Sequence, residues 1–285
     1  MNSEPRNSKN RRAWAIAACA VVLCIGVAIA YGMASAAASR RPDATTAATM
    51  PPAAELTKVG GDRPLNSELI DYSAFTVSFN NTLRIPNWVS WELTADETRG
   101  NLPRGQFRRD DKVSACPWPS DYTGTGYDRG HMAPSADMKW NAQAMKECFY
   151  MTNMCPQTHA LNGGTWKKLE EKTRLWAQAD SSVIIVCGPV LTPRPDEYIG
   201  DDEDIAVPKA FFKVICSPYV NPPRAIGFIM PNGRVNGGLQ AAAVSVDSVE
   251  ALTGFDFFAA LPDSIENTIE AECRFHLWST IRPKE

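Results

Sequence analysis

Histidine is scarce in this chain of 285 residues, which contains only His131, His159 and His276. Eight cysteines are present, but no two have the CxxC spacing. The pair Cys155 and His159 has no second pair at a matching spacing. Because a zinc ion in proteins is usually held by several Cys or His side chains, the sequence argues against a structural zinc ribbon and against a zinc-dependent phosphoesterase.

The body of the chain also lacks an excess of positive charge. Residues 42–285 contain 23 Lys and Arg against 31 Asp and Glu, a formal charge of −8. Proteins that coat nucleic acid are usually basic, so this class is disfavoured. An enzyme that contacts one phosphate at a time remains compatible with the charge. The composition, 44% hydrophobic and 21% charged, is typical of a globular protein.

Charged residues are absent from 13–39, and this run follows the basic residues 1–12. It is long enough to cross a bilayer. Residues 13–38 are therefore either a signal anchor that stays in the membrane or a signal peptide cleaved near Ala34–Ala36. The length of the run favours the anchor. Both interpretations leave the N-terminus in the cytoplasm and export the body, which is either membrane-anchored in the cell envelope or secreted.

The folded part is expected to follow a linker. Residues 39–68 are rich in Ala, Thr, Pro and Gly and predict a flexible segment, which leaves 69–285 for one domain. The segments "FTVSFNN" and "WVSWELTA" predict paired strands. The runs "SSVIIVCGPVL", "AFFKVIC" and "AIGFIM" predict buried strands. Mixed strands and helices without regular alternation predict an α+β fold.

The clearest predicted helix is 161–179. Its residues Trp166, Leu169, Thr173 and Trp176 share one face at helical spacing. The six cysteines of the body form an even set, which in an exported protein suggests disulfides whose pairing the sequence leaves open. They are Cys116, Cys148, Cys155, Cys187, Cys216 and Cys273.

The stretch "GYDRGHMAPSADMKWNAQ", residues 126–143, places Asp128, Arg129 and His131 together in what its glycines predict to be a turn. A neutral imidazole can take a proton from water near pH 7, and a guanidinium group binds phosphoryl oxygens. The simpler alternatives are a loop histidine that caps the backbone and an arginine paired with Asp128.

Two further polar residues lie on the predicted helix. On a regular helix, Asn162 and Glu170 would be about 12 Å apart along the axis. Asn162 could then bind a cation directly, while Glu170 orients a water on that cation. Such a division suits Mg²⁺, which keeps several waters. The alternatives are that Asn162 caps the helix and that Glu170 pairs with Arg174.

The ordered series "DRGHMAPSADMKWN", "TNMCPQTHALNGGTWKKLE", "VCGPVL", "VPKAFFKV" and "SVEALTGFDFFAALPD" resembles the DNA/RNA non-specific endonuclease family. That family includes secreted bacterial nucleases and mitochondrial endonuclease G. The resemblance covers roughly residue 71 to the C-terminus. It implies a mixed or antiparallel central sheet with flanking helices and a ββα-metal motif. It also implies hydrolysis of phosphodiester bonds in DNA and RNA that leaves a 5′-phosphate.

The resemblance assigns roles to matching positions. His131 would be the general base, and Arg129 would contact the scissile phosphate. Asn162 would be the direct ligand of the metal, Mg²⁺ or alternatively Mn²⁺, and Glu170 would bind it through water. Asn153 would support the histidine.

The resemblance also implies a second catalytic arginine. Arg108 matches it, although Arg109 competes for the role. A non-catalytic module that binds nucleic acid or the envelope is the alternative function. Oligomeric state, biological role and the preference between DNA and RNA stay open.

Overall fold

The computed structural model describes residues 49–61, 66–202 and 204–279. The predicted cytoplasmic segment 1–12 and the predicted anchor 13–38 lie outside these residues. Within the described ranges, no helix combines the length and apolarity needed to cross a membrane.

Strands form the centre of the domain and helices flank them. The strands are β1 Val59–Gly60, β2 Ser67–Asp71, β3 Thr76–Asn80, β4 Ile85–Thr94, β5 Asp128–His131, β6 Met154–Gln157, β7 Ser182–Pro189, β8 Tyr198–Ile199, β9 Ile205–Ala206, β10 Ala210–Ser217, β11 Arg224–Pro231, β12 Ala243–Val244 and β13 Asp256–Phe257. The α-helices are α1 Ala53–Leu56, α2 Ala142–Glu147, α3 Lys167–Asp180, α4 Gly238–Ala242, α5 Val246–Thr253, α6 Asp263–Glu270 and α7 Phe275–Ser279.

Shorter helical turns complete the chain. Glu97–Arg99, Pro119–Tyr122, Ser135–Asp137 and Met151–Asn153 are 3₁₀ turns, and Leu161–Trp166 is a wider π-type turn that leads into α3.

Seven strands form one sheet in the order β12-β11-β10-β7-β4-β3-β2. Each pairing in this sheet is antiparallel. The predicted pairing of "FTVSFNN" with "WVSWELTA" is confirmed by the register of β3 with β4. The three apolar runs are the neighbouring strands β7, β10 and β11. The α+β fold with an antiparallel central sheet is therefore confirmed.

Both faces of the central strands are buried, which explains why these strands are continuously apolar. In β7, Val183 and Ile185 pack into the core on one face, and Ile184 and Val186 pack into the core on the other. The first core also receives α3 and the turn before it. The predicted apolar face is confirmed, because Trp166 of the turn and Leu169, Thr173 and Trp176 of α3 are all buried. The second core receives α5 and α6.

The flexible linker predicted for 39–68 is contradicted over its described part. Leu56 in α1 is fully buried in the second core. Val59 and Gly60 pair with Phe257 and Asp256 of β13. Sequence composition missed this segment because its few apolar residues are anchored by partners about 200 positions away in the chain.

The predicted turn at "DRGH" is also wrong, because Asp128–His131 is the strand β5, paired antiparallel with β6. Gly130 is needed for a packing reason rather than for a turn. A Cβ atom at this position would lie 2.2 Å from Oε1 of the fully buried Gln157. The partner strand β6 begins at Met154, directly after the 3₁₀ turn Met151–Asn153.

The predicted helix 161–179 is interrupted at its start. Gly164 has φ −104° and ψ −115°, which is not helical, and regular α-helix begins only at Lys167. The separation of about 12 Å expected for a regular helix therefore does not apply between Asn162 and Glu170.

The disulfides suggested by the cysteine count are not found. All six cysteines of the body are free thiols, and five of them are buried. Cys187, for example, is fully buried and its thiol donates to the Met132 carbonyl oxygen over 3.3 Å. The five buried cysteines act as small apolar core residues.

Candidate active site

The paired strands β5 and β6 and the turn that leads into α3 form a ββα unit, in which Asp128 of β5 binds Asn162 of the turn. Side chains alternate along a strand, so Arg129 and His131 project from the same face of β5. Both contact Phe107: the Arg129 guanidinium carbon lies 5.3 Å from the ring centre, and the His131 ring centre lies 5.4 Å from it.

The imidazole of His131 has one buried nitrogen. Its ring packs edge-on against Phe149 with the centres 4.8 Å apart. The residue as a whole is half-buried, yet its Nε2 is fully buried and has no hydrogen-bond partner in the described part of the chain. Nδ1 is therefore the ring nitrogen left on the open side.

This environment keeps the ring neutral. Burial among the aromatic rings lowers the pKa of His131 to about 3, and the positive charge of Arg104 lowers it further. Arg104 is exposed, and its guanidinium carbon lies 5.7 Å from the Phe107 ring centre and 5.4 Å from that of Phe149. The same two rings thus contact both Arg104 and His131.

The structure places Asn153 beneath the site rather than in it. Its side chain is fully buried. Its Nδ2 donates to the carbonyl oxygens of Ala133 and Cys148, and its Oδ1 accepts from the Ala133 amide over 2.9 Å. These bonds fix the backbone two residues after His131. The geometry therefore suits a positioning role.

Arg129 is held by the turn Pro119–Tyr122 and not by Asp128. Its Nε and Nη2 donate to the Pro119 carbonyl oxygen over 2.9 and 2.6 Å, and Nη2 also donates to Oγ1 of Thr123. Nη1 makes none of these bonds. The alternative of an ion pair with Asp128 is therefore not what the structure shows.

The two candidates for the second catalytic arginine differ in how many contacts hold their guanidinium groups. Arg109 donates to the carbonyl oxygens of Cys116 and Ser114 and stacks on Trp118 at 5.0 Å. Arg108 is exposed, and its Nε makes one long contact, 3.4 Å, with the Gln106 carbonyl oxygen. Arg109 thus has a structural role, and Arg108 is the freer of the two.

Asp128 connects the strand to the turn that carries Asn162. Its Oδ2 accepts from Nδ2 of Asn162 over 2.8 Å and lies 2.9 Å from Nδ1 of His159. The bond through Nδ2 leaves the Asn162 carbonyl oxygen Oδ1 for another partner. A second connection comes from Trp166, whose Nε1 donates to the His131 carbonyl oxygen over 3.4 Å.

Glu170 lies in the first turn of α3 with its carboxylate unpaired. Within the described ranges, no ion pair or hydrogen bond joins it to another side chain. Arg174, the partner considered from the sequence, pairs instead with the buried Asp137 over 2.9 Å. Burial raises the pKa of Glu170 to about 7, while the buried ammonium group of Lys213 opposes this rise.

Comparison with known proteins identifies this arrangement. Residues 52–264 match the family model of the DNA/RNA non-specific endonucleases. The chain belongs to the DNA/RNA non-specific endonuclease family. It is therefore a nuclease enzyme, and its substrates are nucleic acids.

Individual relatives agree with the family model. A nuclease of Nostoc sp. is 35% identical over 70% of this chain and 76% of its own length. A mitochondrial nuclease of Saccharomyces cerevisiae is 32% identical over 76% and 74% of the two chains. Human mitochondrial endonuclease G is 31% identical over 71% and 73%.

Solved structures add a match in three dimensions. A chain in the crystal structure of the EndoG/EndoGI complex superposes with a TM-score of 0.64 at 28% identity. The match covers 69% of this endonuclease and 87% of that chain.

Sequence reasoning missed two charged residues near the site of this endonuclease. Arg104 precedes His131 by 27 positions, in a segment without regular structure, so no motif or periodicity marks it. Lys213 lies in β10 between Phe211 and Ile215, on the face of the sheet that is otherwise apolar. A lysine at an inward position of a buried strand is the signal that could have identified it.

The burial of His131 predicts a pH-dependent loss of stability. The unfolded chain takes up a proton near pH 6.5, whereas the folded chain does so only near pH 3. Protons therefore favour unfolding between these values, and stability falls as pH decreases. Between pH 7.5 and 4.5, His131 should lower the free energy of unfolding of the wild-type chain by about 3 kcal/mol, and His131→Gln should not show this part of the loss.

Urea unfolding of both chains at the two pH values measures this difference. The comparison is between pH-induced changes, so an altered absolute stability of the variant does not affect it. Equal losses in the two chains would show that His131 is not buried as described.

Proposed function

We propose that this protein is a Mg²⁺-dependent endonuclease that hydrolyses phosphodiester bonds in DNA and RNA to 5′-phosphate ends, with His131 as the general base. The observation that carries the proposal is the neutral imidazole of His131, whose strand is tied through Asp128 to the amide of Asn162. A non-catalytic binding module has no such requirement for unpaired, pKa-shifted side chains.

His131 would take the proton from the attacking water. Its buried Nε2 leaves Nδ1 as the basic nitrogen facing the open side. A lowered pKa keeps the ring unprotonated at neutral pH. Negative charge from a bound phosphodiester would raise the pKa toward the value that a proton acceptor needs. The bonds of Asn153 hold the backbone that follows the histidine.

Two guanidinium groups would stabilise the charge on the phosphoryl oxygens. Arg129 shares the Phe107 ring with His131, and its Nη1 makes none of the bonds that anchor the group. Arg104 contacts the same ring and the Phe149 ring. The Arg129 guanidinium is already held by hydrogen bonds, so it needs little reorganisation during the reaction. Arg104 is thus a stronger candidate than Arg108 for the second arginine.

The residues present fit a hard divalent cation. Asn162 supplies a carbonyl oxygen and Glu170 a carboxylate, and hard cations prefer oxygen ligands. The half-buried, unpaired carboxylate of Glu170 would gain a charged partner. Asn162 would hold Mg²⁺ directly and Glu170 would hold it through water. When bound, the cation would stabilise charge on the phosphate and on the leaving oxygen.

The central test is cleavage of supercoiled plasmid and of RNA by the full-length chain. We expect cleavage with Mg²⁺, none with EDTA, and products that polynucleotide kinase labels only after phosphatase treatment. His131→Ala should lower kcat by about a hundredfold to ten-thousandfold. His276→Ala is the matched control and should cleave at the wild-type rate. Unchanged cleavage by His131→Ala, or cleavage in EDTA, would contradict the proposal.

A second prediction concerns Asp128. Because its Oδ2 binds the Asn162 amide, Asp128→Ala should weaken the apparent affinity for Mg²⁺ by about ten- to a hundredfold. High Mg²⁺ concentration should restore most of kcat. Titration of the cleavage rate with Mg²⁺ measures both quantities. A variant with normal Mg²⁺ dependence would show that Asp128 does not position Asn162.

A third prediction separates the arginines. Arg104→Ala should lower kcat by about a hundredfold or more, since it removes a charge beside the reacting phosphate. Arg108→Ala should have the smaller effect of a single exposed phosphate contact, seen mainly in KM and in the salt dependence. Steady-state kinetics on one oligonucleotide compares them. If Arg108→Ala lowers kcat more than Arg104→Ala does, Arg108 is the second catalytic arginine.

The cellular location is a further part of the proposal. The apolar segment 13–38 would hold the chain in the membrane with the catalytic domain exported, or would be cleaved to release it. Fractionation of cells and N-terminal sequencing distinguish these forms. A full-length chain in the soluble cytoplasmic fraction would contradict both.

A further inference from the structure

Three carboxylates meet on the face of the domain formed by α5 and α6. Asp247 and Glu250 are three residues apart in α5 and therefore neighbours on its surface. Glu270 is the last residue of α6. One carboxylate oxygen from each residue lies within 4.8 Å of the others. None of the proposed active-site residues belongs to this cluster.

Glu270 is the unusual member of the cluster. The residue is only 5% exposed, and its Oε1 is fully buried without a hydrogen-bond partner in the described part of the chain. Burying a carboxylate without a partner is costly, because the lost hydration is not replaced. An acidic surface patch would instead keep its carboxylates hydrated.

The surroundings add negative charge rather than neutralise it. Burial raises the pKa of Glu270 to about 9, and the nearby carboxylates Glu250, Glu266, Asp247 and Asp256 raise it further. Within the described ranges, none of the three clustered carboxylates forms an ion pair with a basic side chain.

The geometry of Glu250 leaves it able to act as a ligand. Its Oε1 accepts a hydrogen bond from the Phe257 amide over 2.7 Å. This bond connects α5 to β13 and fixes the orientation of the carboxylate. Oε2 takes no part in it.

We propose that Asp247, Glu250 and Glu270 bind a structural divalent cation, best suited to Ca²⁺, which joins α5 to α6. Calcium–oxygen distances are about 2.4 Å, so two ligands of one ion lie no more than about 4.8 Å apart. The observed spread meets this limit. Asp247 is exposed, so water can complete the six to eight ligands that Ca²⁺ takes.

The expected role of this cation is stability and not catalysis. Val246 and Val249 anchor α5 in the second core, and Ile269 of α6 packs there too. A cation between the helices would offset the repulsion among their carboxylates and hold this layer against the sheet.

The test uses the full-length chain with Asn162→Ala, which removes the proposed ligand at the active site. After treatment with EDTA, calorimetric titration with CaCl₂ should show one saturable Ca²⁺ per chain. Ca²⁺ should also raise the thermal midpoint by several degrees. Adding Glu270→Gln should weaken binding at least tenfold and abolish the shift in midpoint.

A matched control is Glu266→Gln, which removes one nearby charge without removing any of the three ligands. It should keep the binding site. In EDTA, Glu270→Gln should melt at or above the temperature of its parent, because the parent must take up a proton to bury this carboxyl group and glutamine need not. If this variant does not fold, Asp247→Asn at the exposed position provides the same comparison.

The outcomes separate this proposal from the proposed function. No saturable Ca²⁺ binding by Asn162→Ala, or equal affinity in Glu270→Gln or Asp247→Asn, would overturn the structural cation site while leaving the endonuclease proposal intact. Absence of cleavage by the wild-type chain in the central test would overturn the proposed function. It would not affect the proposed Ca²⁺ site, which the calorimetric titration tests separately.

Discussion

The hydrogen bond from Asn162 to Asp128 is the contact on which the proposed chemistry depends. It joins β5, the strand that carries Arg129 and His131, to the irregular turn before α3. Together with the bond from Trp166 to the His131 carbonyl oxygen, it fixes the imidazole and the Asn162 amide relative to each other. The bond also explains why aspartate precedes the arginine, since one carboxylate oxygen serves both Asn162 and His159.

A buried lysine of the central sheet, Lys213, also contributes to the proposed active site. Lys213 is 1% exposed, and its ammonium group lies 4.4 Å from the Trp166 ring centre and 5.5 Å from that of Trp91. Aromatic faces attract cations at such distances, which helps a lysine to remain in the core. Its charge opposes the rise in the pKa of Glu170. Trp166 in turn binds the His131 carbonyl oxygen, so one tryptophan contacts both halves of the site.

Much of the fold could be predicted because strong local patterns determine it. The runs of β7, β10 and β11 are apolar on both faces, and the buried face of α3 has clear helical spacing. The strand at "DRGH" could not be recognised, because Gly130 is required by the Gln157 side chain from another strand. The kink at Gly164 was missed because glycine adopts helical and non-helical backbone conformations about equally easily, so the sequence does not decide between them.

The site could be predicted only in part. His131, Asn162 and Glu170 were named from an ordered motif, whereas Arg104 comes near the histidine only through packing against Phe107 and Phe149. The cysteine count was misleading, because small apolar core positions and disulfide partners look alike in sequence.

The central claim is that one imidazole and one cation, held through the Asp128–Asn162 bond, act on the same phosphate. The most direct measurement is the anomalous scattering of Mn²⁺ in crystals of the protein with a short uncleaved oligonucleotide. The account predicts a peak within bonding distance of Oδ1 of Asn162, with the phosphate between it and Nδ1 of His131. Ordered Mn²⁺ elsewhere with none at Asn162, or a phosphate remote from His131, would contradict it.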